Sequence, residues 1–105
     1  MDKIPVRIMN TINKYINELE KNKVHIHRAV LFGSHVTGFS TEWSDIDIAL
    51  VSDVFEGIRM RDRNKIRKIT MAISSDLSPL PFRPKDFTRE DPFVREILET
   101  GINII

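Results

Sequence analysis

Residues 31–50 read LFGSHVTGFSTEWSDIDIAL, and the whole chain organises itself around this stretch. The apolar run Ala29-Val30-Leu31-Phe32 stops abruptly at Gly33-Ser34. A run of that kind suits a buried strand, placed here over His25 to Phe32. After a short, polar, turn-rich segment to Ser44, Ile46, Ile48 and Leu50 alternate with Asp47, Ala49 and Val51. The alternation predicts a second strand over Asp45 to Val51, with one apolar face and one face that starts with carboxylates.

The residue types suit anion and cation binding together. Gly33 has no side chain, so a phosphate can approach the backbone closely. Ser34 offers a hydroxyl and an N–H, and a helical turn starting there would aim further N–H groups at an anion. Asp45 and Asp47 are two apart on a strand, so they face the same way, about 7 Å apart at the backbone. Two carboxylates on one face repel each other unless a positive charge sits between them. Mg²⁺ takes oxygen ligands, often one or two carboxylates plus substrate phosphates. It would neutralise those phosphates and polarise the phosphorus under attack.

Working outward, Ile4, Ile8, Ile12, Ile16 and Leu19 recur on one face of a helix over Ile4 to Lys21, with Pro5 in its first turn. Gly57 to Ser75 reads as a second long helix with Ile58, Ile66, Ile69 and Ile73 as its inner stripe. Asp76 to Phe82 reads as a third strand, and Pro79 and Pro81 assign it to an edge. Asp91-Pro92 is the signature of a helix start, and Gly101 of its stop. Ile102 to Ile105 then forms a short final strand. The order predicts an α+β fold, a small mixed sheet packed on one side by helices.

At 105 residues, one domain spanning 1–105 is expected. The absence of cysteine excludes disulfides and thiolate metal sites. No apolar run approaches the roughly 20 residues of a membrane span. The N-terminus lacks the apolar core of a signal peptide, so a cytoplasmic protein is expected. A formal net charge of +1 gives no bulk attraction for nucleic acid, so a bound anion must be held locally.

The strand LFGS, then Gly38, then SDIDIALVSD followed by Phe55-Glu56-Gly57, resembles the nucleotidyltransferase superfamily that includes DNA polymerase β. More narrowly it is similar to the minimal nucleotidyltransferases, the small partners of HEPN proteins in prokaryotic toxin–antitoxin pairs. The tail FVREILETGINII also resembles that group's ending. The resemblance implies a polymerase-β-like fold, ATP as substrate and two Mg²⁺ ions. It implies transfer of AMP to a hydroxyl, a tyrosine of a HEPN toxin, within a hetero-oligomer. Asp45 and Asp47 would be catalytic and metal-binding, and Gly33 and Ser34 would bind nucleotide. A third carboxylate usually lies on a later strand. Asp76 is the candidate for it, with Asp86 as runner-up. Many relatives carry an arginine in the turn after the Gly-Ser pair, where this chain has His35-Val36-Thr37.

Other residues have plainer readings. His35 reads as an exposed loop histidine rather than a phosphate donor. His25 and His27 share a strand face but lack a third metal ligand. Trp43 reads as a loop aromatic over the core rather than a nucleobase platform. Arg59, Arg63, Arg67 and Lys68 read as a solvated helix face or a docking surface. Lys65 and Lys85 are possible phosphate partners.

Overall fold

Apolar residues at helical spacing drive the first element. α1 (Val6–Lys21) buries Ile8, Ile12, Tyr15, Ile16 and Leu19. The Pro5 carbonyl opens it by accepting from the N–H groups of Ile8 and Met9. The computed structural model describes residues 4–41 and 44–105, so the expectation for Trp43 lies outside the described residues. β1 (Arg28–Phe32), α2 (Ser34–Thr37), β2 (Ile46–Val51), α3 (Arg59–Ile73) and β3 (Leu77–Phe82) follow. A 3₁₀ turn (Pro84–Asp86), α4 (Pro92–Thr100) and β4 (Ile102–Asn103) complete the order.

The strands form one sheet in the order β3-β2-β1-β4. β1 runs antiparallel to β2 and β4, whereas β2 and β3 are parallel, so the sheet is mixed. β3 lies at an edge, as its prolines predict. Alternation divides the side chains between two cores. Ala29, Leu31, Ile46, Ile48, Leu50 and Leu77 pack with α1 and with Ile66 of α3. Val30, Ala49, Val51 and Phe82 pack with Val94 and Ile97 of α4. The helices therefore do not all lie on one side, because α4 covers part of the second face.

The inner stripe of α3 also departs from expectation. Ile66 is buried, but Asp62 and Thr70 share that stripe with it, while Ile58 is half exposed outside the helix. Both polar groups have partners. Asp62 accepts from the backbone N–H groups of Glu56 at 2.7 Å and Gly57 at 2.9 Å, closing the β2–α3 connection. Thr70 donates to the Ile66 carbonyl and accepts from the Tyr15 hydroxyl at 2.6 Å, joining α3 to α1. Burial pushes the Tyr15 hydroxyl up to about 12.

At α4, Asp91 caps the first turn by accepting from Phe93 and Val94 N–H. Gly101 ends it for a different reason from the one expected. Its φ is −78°, so no left-handed turn is involved. A Cβ there would lie 2.5 Å from the Ile97 carbonyl and 2.5 Å from Val30, so close packing is what demands glycine.

Candidate active site

Gly33 stands where β1 turns into α2, with φ 79° and ψ −151°. That conformation is essentially restricted to glycine. Its carbonyl accepts from Val36 and Thr37 N–H at 3.0 and 3.1 Å, closing the tight turn that begins at the half-buried Ser34. The first N–H groups of such a turn have no partner within it. Across the ladder, Phe32 is paired with Asp47, which brings that carboxylate against the turn. A Cβ on Gly33 would collide with Asp47 Oδ2 and stand 3.1 Å from its Cγ. Glycine is needed here first for the carboxylate itself.

Asp45 is exposed just ahead of β2, and Asp47 is half-buried two residues on. The Asp47 carboxyl is held above its ordinary range, first by burial, then by the Asp45 charge. His35 pulls weakly the other way. A charged, partly desolvated pair of this kind favours a cation between its members. The donor set fits a divalent ion completed by phosphate oxygens.

His35 is buried beneath the turn rather than exposed as expected. Its Nε2 lies 3.3 Å from the Ser44 carbonyl, tying the end of the loop to its start, and its Nδ1 is buried without a partner. It belongs to the scaffold of the site.

The model of the family described as polymerase beta, nucleotidyltransferase matches residues 13–105. The chain belongs to that family. No curated protein matches it by sequence. Among solved structures it is similar to a candidate nucleotidyltransferase of Sulfolobus solfataricus, known from a crystal structure at 1.40 Å. The TM-score is 0.64 at 15% identity, over 93% of this chain and 79% of the other, a likeness of fold. The resemblance read from the Gly-Ser and Asp-x-Asp spacing therefore holds at the level of the nucleotidyltransferase family and its fold.

Within this nucleotidyltransferase fold the expected third carboxylate is placed differently from Asp45 and Asp47. Asp76 lies in the exposed turn before β3, one residue short of the strand. Its backbone carbonyl accepts from Ile46 N–H at 2.8 Å, so the turn borders the mouth of the site. The strand position paired with Asp47 on β3 is Ser78. Sequence reading passed over Ser78 because the parallel register of β2 and β3 cannot be read from composition. Among the described residues, no group of three or more His, Cys, Asp or Glu is arranged to hold a metal. Asp86 follows the far end of β3 and is paired with Arg83, which holds its carboxyl below the usual range. Lys65 is also remote, donating to the Val54 carbonyl beyond β2 and pairing with Glu56 at 2.8 Å. Lys85 sits beside Asp86 at the same far end.

Proposed function

We propose that the domain transfers AMP from ATP to a tyrosine hydroxyl of a HEPN-type partner, and thereby acts as its antitoxin in the cytoplasm. The observation that carries this reading is the Asp45–Asp47 pair held against the glycine-only turn at Gly33. Asp45 and Asp47 would hold the divalent metal, which when bound neutralises the triphosphate and polarises the α-phosphorus. Gly33 and Ser34 would receive the phosphates. The tyrosine oxygen forms a bond to the α-phosphorus, the bond from that phosphorus to the β-phosphate bridging oxygen breaks, and pyrophosphate leaves. The hydroxyl proton passes to a carboxylate at the mouth, for which Asp76 in the bordering turn is the candidate.

A protein acceptor suits a site whose outer carboxylate, Asp45, is exposed, because a macromolecule can bring its own surface to it. The groove between α3 and β3 supports a docking role. It has a volume of about 250 Å³ and is lined by Arg63, Arg67, Met71, Leu77 and Pro79 among others. With Arg59 at the start of α3, it offers basic and apolar surface to an acidic partner. Co-expression with the product of the adjacent gene, followed by intact-mass measurement with ATP and Mg²⁺, tests the proposal. AMP increments on the partner's tyrosine, absent from an Asp45→Asn, Asp47→Asn double variant, are expected. A complex whose mass never changes would leave an antitoxin acting by contact alone. That second reading is favoured by Ser78, a neutral group in the strand position next to Asp47.

A further inference from the structure

Beside Asp47 the sheet carries a feature that phosphate and metal binding do not use. Phe32 faces the same side as its ladder partner Asp47, and α4 crosses that side of the sheet. Between them lies a cavity of about 200 Å³, lined by Phe32, Gly33, Thr37, Phe93, Glu96 and Thr100 among others. Phe93 meets Phe32 edge to face, with ring centroids 6.2 Å apart, yet remains 44% exposed. A large aromatic left in solvent at the edge of a candidate active site is surface available to a flat ligand.

We propose that this cavity takes the nucleobase of the nucleotide, an amino-bearing purine stacked on the exposed ring of Phe93, with Glu96 accepting from its exocyclic amine. The inference rests on the reading of Gly33, Asp45 and Asp47 as the phosphate and metal end of the same ligand. Continuity supports it, because Gly33 borders both the cavity and the Asp47 carboxylate. Size supports it too. A whole nucleotide needs a pocket of about 300 Å³ or more, so the smaller cavity suits one heterocycle with ribose and phosphates lying outside it. The electrostatics also agree. The edge of an aromatic ring and an exocyclic N–H both carry positive charge toward a carboxylate, whereas a carbonyl at the same position would be repelled. Glu96 would therefore distinguish adenine from hypoxanthine, which has oxygen in place of the amine.

Calorimetry with the Mg²⁺ complexes of ATP, ITP and inorganic tripolyphosphate tests this on the whole chain. Stacking on one aromatic should make ATP bind roughly ten-fold tighter than tripolyphosphate. Phe93→Ala should remove most of that advantage while leaving tripolyphosphate affinity unchanged. Glu96→Gln should narrow the preference for ATP over ITP. Unchanged melting curves for both variants would show that the fold is intact. Phe93→Leu, which keeps apolar bulk without a ring face, should behave like the alanine variant. Equal affinity for ATP and tripolyphosphate in the wild type, or wild-type ATP affinity in Phe93→Ala, overturns the nucleobase assignment alone. Failure of both ATP and tripolyphosphate to bind overturns the phosphate reading as well.

Discussion

Replacing Gly33 by alanine is the sharpest test of how turn and carboxylate are coupled. Two costs are expected, and they act on different observables. The first is backbone strain. At φ 79° and ψ −151° a residue with a Cβ pays about 1–3 kcal/mol. For a domain near this size each kcal/mol lowers Tm by about 4–8 °C. Typical total stability is about 5–15 kcal/mol, so the variant should fold and melt early. The second cost is the collision with Asp47. The new Cβ would fall 3.1 Å from Asp47 Cγ and 3.2 Å from its Cβ, with Oδ2 closer still. Asp47 is only half-buried, so its carboxylate can swing away cheaply, but it then leaves the position beside Asp45.

Gly33→Ala should therefore weaken Mg²⁺–ATP binding by more than ten-fold while keeping the fold. Thermal melts with and without Mg²⁺–ATP, together with calorimetry, read the two effects separately. In an Asp47→Ala background the contacts to Cγ and Oδ2 are gone and the 3.2 Å contact to Cβ remains, so Gly33→Ala should cost the strain plus a small adjustment at that Cβ. Wild-type Tm and wild-type affinity in the single variant would refute both halves of the argument.

Asp47→Asn should raise the Tm of the metal-free protein at pH 7. The Asp47 carboxyl is held above its ordinary range, so its charged form is penalised in the fold. Stability falls as pH rises through the window from the unfolded value, about 4, to the raised folded one, and the gain should vanish in melts below that window. Ser78→Asp places a carboxylate beside Asp47 on the neighbouring strand. It should tighten Mn²⁺ binding without nucleotide by ten-fold or more in an electron paramagnetic resonance titration, and unchanged binding would separate Ser78 from the site. Tyr15→Phe leaves the Thr70 hydroxyl without its donor and should cost about 1 kcal/mol in urea unfolding. The wild type should lose stability between pH 10 and about 12, where an unfolded tyrosine ionises and the buried one does not, and the variant should lack that loss. Asp62→Ala strips the acceptor from two backbone N–H groups and should cost about 3 kcal/mol by the same measurement.

Local rules made much of this fold legible. Alternation around Ile46 to Leu50 gave the carboxylate face, the Asp91-Pro92 pair gave a helix start, and Pro79 and Pro81 gave the edge strand. The misses came where tertiary context decides. Asp62 and Thr70 occupy a helix stripe that apolar periodicity assigns to isoleucines, because the N–H groups of the β2–α3 connection and a buried tyrosine take polar partners there. α4 sits opposite α1 and α3 because Val94 and Ile97 meet Val30 and Val51, a choice of face that no local pattern encodes. His35 looks like any loop histidine until the loop folds back to put the Ser44 carbonyl against it.

The Asp76 and Ser78 positions bear most directly on what the site can do. On β3 the residue in register with Asp47 is Ser78, on the side of the sheet that carries Asp47, whereas Asp76 lies in the turn ahead of the strand. Ser78 is paired with the inner carboxylate, whereas Asp76 stands at the rim next to the outer one. The negative charge of the site is therefore graded, strongest toward the solvent-facing mouth and weaker along the sheet. Two divalent ions about 3.5–4 Å apart need carboxylates on both flanks of a bridging ligand. Here the β3 position in register with Asp47 offers the Ser78 hydroxyl. A nucleotide that brings its own phosphate oxygens to that position would complete the coordination. Metal and nucleotide should then bind with strong positive coupling, each weak without the other. By linkage the coupling is reciprocal, so Mn²⁺ should tighten ATP binding by the same factor as ATP tightens Mn²⁺ binding. Titrations run in both directions check the equality. Independent binding of the two ligands would show that Ser78 leaves no gap for the phosphates to fill.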